Sequence, residues 1–115
     1  MTEPRVKSGL WVRAQLRMAD RAGRAFTVLR KGDEDAGTVI LKLLGPDGRA
    51  RLLAQANAPD GGLAWHWPLG TDALPEAEAD AYIARQARFD PDIWAVEVLD
   101  RAGDYRPDGR ILAPD

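Results

Sequence analysis

TVILKLLGPDGRARLLAQ, residues 38–55, is the stretch of sequence that decides the fold of this protein. Residues 38–44 are aliphatic or β-branched around one lysine, a composition typical of a strand at the centre of a sheet. The tetrapeptide Gly45-Pro46-Asp47-Gly48 predicts a turn, because proline fixes φ and the last glycine can adopt a positive φ. Residues 49–55 should then return as the next strand, so the stretch predicts an antiparallel hairpin.

On the N-terminal side, residues 25–30 predict one more strand, followed by a polar loop at 31–37. Residues 9–22 allow two interpretations. As a helix after an N-cap at Ser8, they place apolar residues on one side and Arg13, Arg17 and Arg21 at i, i+4 and i+8 on the other. As a strand, they would alternate apolar and polar residues from Leu10 to Met18. The length favours the helix, and the strand remains the alternative.

On the C-terminal side, residues 63–67 predict a short strand, and Pro75 predicts the start of a second helix. Acidic residues in its first turn and arginines in its last turn complement the helix dipole. Asp90-Pro91-Asp92 ends this helix, and residues 93–99 predict a final strand.

Together these elements predict an α+β domain in the order helix, strand, strand, strand, a possible fourth strand, helix, strand. We expect a mainly antiparallel sheet of four to five strands, covered on one face by the two helices. The single domain should span residues 8–105, between a flexible N-terminus at 1–7 and a loosely held tail at 106–115.

The composition excludes several chemistries. The 115 residues contain no cysteine and one histidine, so disulfides, thiolate metal sites and a multi-histidine metal site are ruled out within one chain. Ser8 is the only serine and lies outside any nucleophile-elbow pattern. We therefore expect no bound metal and no cofactor. We also expect a protein without catalytic activity in preference to an enzyme.

Charge is distributed unevenly along the chain. Residues 1–31 carry a net charge of +6, and residues 32–115 carry a net charge of −8. The stripe Arg13, Arg17 and Arg21 is therefore a candidate binding surface for a protein partner or for the acidic part of a second copy. The alternative is a solvated helix face that is partly paired with nearby carboxylates of the same chain. Nucleic-acid binding is less expected, because the whole chain has a net charge of −2.

Trp65-His66-Trp67 is the most unusual local cluster in the sequence. Alternation along a strand places the two tryptophans on one face, where they are candidates for an exposed partner-binding edge or for ordinary packing. His66 then lies on the opposite face, either as a general base or simply facing solvent.

Acidic residues provide two more candidates. Asp90 and Asp92 flank a proline, and with Glu97 and His66 they are candidates for a polar, carboxylate-lined pocket. The alternative is that Asp90-Pro91-Asp92 is only a chain reversal. The loop residues Gly32, Asp33, Asp35 and Gly37 lack the ligand pattern of a calcium loop, so the glycines are better explained by turn geometry.

Three stretches resemble the bacterial family catalogued as domain of unknown function 1491. They are KSGLWV at 7–12 with Leu16-Arg17, RKGDEDAG at 30–37, and FDPDIW at 89–94 continuing through Val96-Glu97-Val98 to Asp100-Arg101. The resemblance extends from about Lys7 to about Gly103 and implies a small bacterial protein. It implies no reaction, ligand or partner.

The leading hypothesis is therefore a small non-enzymatic interaction module. The alternative is a small enzyme or ligand-binding protein with a carboxylate-lined pocket, and weak nucleic-acid binding through the first helix is a third. No stretch approaches the ~20 apolar residues of a membrane span, which predicts a cytoplasmic location without membrane contact.

Overall fold

A computed structural model describes residues 7–58 and 60–114 of the chain. No helix in those two ranges is both long and apolar enough to cross a membrane. The described residues form two helices and seven strands: α1 (Ser8–Ala22), β1 (Phe26–Arg30), β2 (Val39–Leu44), β3 (Arg49–Asn57), β4 (Leu63–His66), β5 (Leu74–Pro75), α2 (Glu76–Phe89), β6 (Trp94–Leu99) and β7 (Arg110–Ile111).

The strands form one mixed sheet with the spatial order β1-β6-β2-β3-β4-β7, and β5 pairs with β3 off this path. The hairpin β2–β3 is antiparallel and β2 lies inside the sheet, as its apolar sequence predicts. The prediction of a mainly antiparallel sheet with four to five strands is wrong, because the sheet has seven described strands and two parallel pairs, β2–β6 and β4–β7. The chain returns through α2, and this crossover inserts β6 between β1 and β2.

Residues 8–22 are helical, so the strand interpretation of this segment is wrong. Val12, Gln15 and Ala19 are buried at helical spacing and dock α1 on the sheet. Gly23 ends the helix with φ 70°, a left-handed conformation that glycine adopts without steric cost. Lys7, rather than Ser8, occupies the N-cap position.

The two helices lie on opposite faces of the sheet, and the expectation that both cover one face is wrong. Alternate residues of β2 separate the two cores: Leu41 faces the side that holds Val12 of α1, and Ile40 faces the side that holds Ile83 of α2. All four tryptophans pack in the α1-side core, so that core contains most of the aromatic surface. The sequence shows that both helices are amphipathic, but not which sheet face each helix covers.

The C-terminal segment joins the sheet. Within the part predicted as a loosely held tail, Pro107 is buried and β7 pairs with β4. The backbone N–H of Leu112 donates a 2.8 Å hydrogen bond to the carbonyl oxygen of Trp65. Of the predicted flexible N-terminus, residues 1–6 lie outside the described residues, and Lys7 is exposed.

Candidate functional site

The loop at 32–37 is fixed against the junction that precedes β6. The N–H of Asp33 donates to the carbonyl oxygen of Asp92 at 2.9 Å, and the indole N–H of Trp94 donates to the carbonyl oxygen of Asp33 at 2.7 Å. Oδ2 of Asp33 accepts the N–H groups of Asp35 and Ala36 at 3.1 and 2.9 Å. The hydrogen bonds of Asp33 therefore stabilise the loop and its contact with the junction before β6.

The start of α1 contacts the same loop. The Ser8 hydroxyl donates to the carbonyl oxygen of Gly37, and the N–H of Gly9 donates to the carbonyl oxygen of Glu34 at 2.9 Å. The guanidinium of Arg13 lies 3.0 Å from a carboxylate oxygen of Glu34. Its hydrogen bond lowers the pKa of Glu34 and raises the pKa of Arg13. Three separate stretches of sequence, around residues 7–13, 32–37 and 90–94, thus meet at one place.

Gly32 and Gly37 are required by close approach and not by unusual backbone torsion. A Cβ atom at either position would overlap the carbonyl oxygen of Asp92 and the indole ring of Trp94. Neither glycine has a positive φ. Turn geometry, the explanation drawn from the sequence, is therefore not the reason for these glycines.

The carboxylates predicted to line one pocket are not brought together. Oδ1 of Asp90 accepts the N–H of Asp92 at 3.1 Å, an arrangement that stabilises the chain reversal before β6. Glu97 lies within β6, and its carboxylate is 3.3 Å from Nζ of Lys42. His66 is exposed at the end of β4, on the other side of β3 from β2.

Lys42, a buried lysine, is the centre of an ion cluster that is not among the sites predicted from the sequence. Its side chain is 3% exposed, and Nζ lies 2.6 Å from Oε2 of Glu76 and 2.6 Å from Oδ1 of Asp80 on α2. Burial by itself would lower the pKa of Lys42, but the hydrogen bonds that Nζ donates to Asp80 and Glu76 outweigh it and raise the pKa above its ordinary value. The cluster, together with Glu97, holds α2 against the centre of the sheet.

The two tryptophans around His66 are not equivalent. Trp65 is fully buried, and its indole N–H donates to the carbonyl oxygen of Asp108 at 2.7 Å. Its ring lies 5.5 Å from that of Trp11 on α1. Trp65 is therefore a core residue and cannot form an exposed binding edge. Trp67 is partly buried, and the guanidinium carbon of Arg51 lies 5.2 Å from its ring centre.

The outward face of α1 carries two neighbouring ridges. Arg13, Arg17 and Arg21 form a basic ridge, and all three residues are exposed. The apolar ridge beside it, also at i, i+4 and i+8, consists of Leu10, Ala14 and Met18, in which Leu10 is 57% and Met18 is 53% exposed. Within residues 7–58 and 60–114, only Arg13 of the basic ridge has an ion-pair partner. We call these two ridges the α1 outer face.

At the opposite end of α1, buried polar groups surround Asp100. Oδ1 of Asp100 accepts the N–H groups of Asp104 and Tyr105, each at 3.2 Å, and lies 3.4 Å from the guanidinium of Arg24. The guanidinium of Arg24 also lies 5.2 Å from the ring centre of Tyr105. Burial, followed by the nearby charge of Asp108, raises the pKa of the Tyr105 hydroxyl to about 12.

These observations define the class of the protein as a small α+β domain with a mixed sheet and one helix on each face. The chain belongs to the family described as "Protein of unknown function (DUF1491)", whose model matches residues 6–106. In the part of the chain that the structure describes, no group of three or more histidines or carboxylates is arranged to hold a metal ion. No curated protein matches the chain significantly.

Solved structures of this family are similar over nearly the whole chain. A crystal structure of a DUF1491 family protein from Caulobacter crescentus is 38% identical, with a TM-score of 0.83, covering 94% of this chain and 100% of that one. An NMR structure of a DUF1491 family protein from the same organism is 38% identical, with a TM-score of 0.80 and coverages of 94% and 97%. A solution structure from A. tumefaciens is 28% identical, with a TM-score of 0.72 and coverages of 91% and 99%.

Proposed function

We propose that this chain is a non-enzymatic interaction module of the bacterial cytoplasm, and that the α1 outer face binds a protein partner presenting an acidic amphipathic helix. The single observation that carries this proposal is the pair of exposed ridges, one basic and one apolar, side by side on α1. The bacterial sources of the similar structures support the assignment to bacteria.

The chemistry of the face defines the partner. Exposed Leu10 and Met18 offer apolar area that binding would remove from water. Arg17 and Arg21 are cations without an ion pair among the described residues, so carboxylates of a partner would gain new contacts there. A helix with apolar and acidic residues on one side matches both ridges at the same spacing.

The test is site-specific photo-crosslinking in the cells from which the protein comes. A photoreactive residue replaces Ala14 on the α1 outer face or, as a matched control, the exposed Ala84 on α2. We expect one partner to crosslink from position 14 and not from position 84, through a peptide that is acidic and amphipathic. The double variant Arg17→Glu, Arg21→Glu should abolish that product, whereas Arg85→Glu on α2 should not.

Three outcomes would contradict the proposal. One is equal labelling from positions 14 and 84, and another is a product that survives reversal of both arginines. The third is a crosslinked product that is nucleic acid or a second copy of this chain. The α1 outer face would then bind that molecule and not an acidic helix of a protein partner. Circular dichroism of each variant verifies that the fold is retained.

A further inference from the structure

A cavity of about 250 Å³ lies just beyond the carboxyl ends of β2 and β6. These two strands are parallel and adjacent, ending at Leu44 and Leu99. The carboxyl ends of parallel strands are where open sheets most often bind ligands, because the loops that follow diverge there. The residues that matter for the chemistry of this cavity are Asp47, Arg49, Arg51, Asp100 and Arg101.

Asp100 gives the cavity an unusual acceptor. Its side chain is 2% exposed, and Oδ1 is fully engaged by the backbone and by Arg24. Oδ2 has no hydrogen-bond partner among the described residues, although it is buried. It lies 3.6 Å from the guanidinium of Arg51, and Asp100 and Arg51 both line the cavity. An unsatisfied buried carboxylate oxygen costs free energy unless a donor reaches it.

Three arginines, Arg49, Arg51 and Arg101, line the same cavity. Arg49 donates one N–H to the carbonyl oxygen of Ala73 at 2.9 Å, and Arg51 packs its guanidinium over Trp67. Arg101 is exposed and forms no ion pair within the described ranges. Each of the three arginines therefore retains N–H donors for an oxyanion. Asp47 and Asp100 supply only two opposing charges at the cavity.

We propose that this cavity binds a small phosphate monoester that also carries a hydroxyl group. The arginines bind the phosphate through charge-assisted hydrogen bonds, and Oδ2 of Asp100 accepts a hydrogen bond from the ligand hydroxyl. A bare anion would leave Oδ2 unsatisfied, and a cation would be repelled by the three arginines. A ligand with both groups satisfies both requirements, and the cavity volume suits a molecule of a few carbon atoms.

The test is a titration of the full chain, labelled with ¹⁵N, with three probes: glycerol 3-phosphate, inorganic phosphate and glycerol. We expect glycerol 3-phosphate to shift the amide signals of residues 45, 47–49 and 100–103 and to bind about ten-fold more tightly than inorganic phosphate, the value of one good hydrogen bond. Glycerol alone should cause no shift. Equal affinities for the two phosphates, or no shift of these amides, would overturn the proposal.

Two variants locate the site. Arg101→Ala removes a donor that makes no ion pair in the described fold, so we expect the affinity for glycerol 3-phosphate to fall about ten-fold without loss of structure. Arg88→Ala, an exposed arginine at the end of α2, is the matched control and should leave affinity unchanged. Asp100→Asn retains an acceptor for the backbone but loses the acceptor at Oδ2, so it should abolish the preference for glycerol 3-phosphate over inorganic phosphate. Affinity that is unchanged in both Arg101→Ala and Asp100→Asn would contradict the proposal.

Discussion

At position 32, close packing around the backbone leaves room only for glycine. A Cβ atom there would overlap the backbone of Asp92 and Ile93 and the ring of Trp94. We expect Gly32→Ala to lower the free energy of unfolding by about 1–3 kcal/mol, since neither the backbone nor the buried indole can move without losing hydrogen bonds. Urea denaturation followed by tryptophan fluorescence measures this loss.

Gly45→Ala is the matched control for this prediction. A Cβ atom at Gly45 would lie 3.2 Å from Oδ1 of Asp47, which is the end of an exposed side chain, so a small displacement accommodates it. The expected change is under about 1 kcal/mol, because the more restricted unfolded chain offsets part of any strain. Equal losses for Gly32→Ala and Gly45→Ala would show that the close approach at Gly32 is not what requires glycine.

Single residues also mark where sequence patterns were informative and where they were not. The pattern of Ser8 followed by an amphipathic segment predicted the start of α1 to within one residue, since the helix begins at Ser8 and Lys7 is its N-cap. The role of Ser8 was wrong, because its hydroxyl donates to Gly37 across the fold and not to its own helix. Helical periodicity shows which side of a helix is apolar. It does not show the hydrogen-bond partner of the Ser8 hydroxyl, because that partner lies 29 residues away in the sequence.

Among the elements, α2 depends on a buried charge for its attachment to the sheet. Replacing Lys42 with Met would leave Glu76, Asp80 and Glu97 close together without their common cation. We expect a loss of about 1–3 kcal/mol at pH 7, less than for a fully buried pair because Glu76 and Asp80 are about half exposed. Chemical denaturation at two pH values measures this loss.

The pH dependence of the loss has a definite sign. Hydrogen bonds to Asp80 and Glu76 raise the pKa of Lys42 above its ordinary value, so the folded protein holds this proton more tightly than the unfolded chain does. The contribution of Lys42 is therefore fully present at pH 7 and decreases as the pH rises above the ordinary lysine pKa of about 10.4, so the difference between the wild type and Lys42→Met should shrink between about pH 8 and pH 11. Lys31→Met, at an exposed lysine, is the control and should show no such convergence. A difference that is constant or grows toward pH 11 would contradict this account.

The elements were largely predictable and their arrangement was not. The helix at 76–89 and the strands at 39–44 and 94–99 follow from local composition, and the acidic residues in the first turn of the helix were expected to complement its dipole. The apolar strand VILKLL contains one lysine, and a lysine that is buried in such a strand requires partners of opposite charge. Those partners lie on α2 and β6, and no local pattern connects them with β2.

For the whole molecule, the mixed sheet makes unfolding a single event. The pairing of β2 with β6 joins residues 39–44 to 94–99, so neither half of the chain has a complete core of its own. We expect urea transitions followed by tryptophan fluorescence and by far-ultraviolet circular dichroism to coincide. Fluorescence reports the α1-side core, where all four tryptophans lie, whereas circular dichroism reports both helices. Separate midpoints would show that the α2 side unfolds independently.

The sequence by itself determined the two helices, five of the strands, the α+β class, the absence of disulfides and the family. These properties depend on composition and on periodicity within a few residues. Only the tertiary structure decided the parallel pairing of β6 with β2, the opposite faces of the helices, the burial of Trp65, the ion cluster at Lys42 and the cavity at Asp100. The physical reason is that each of these depends on contacts between segments far apart in the chain, which local sequence patterns do not record.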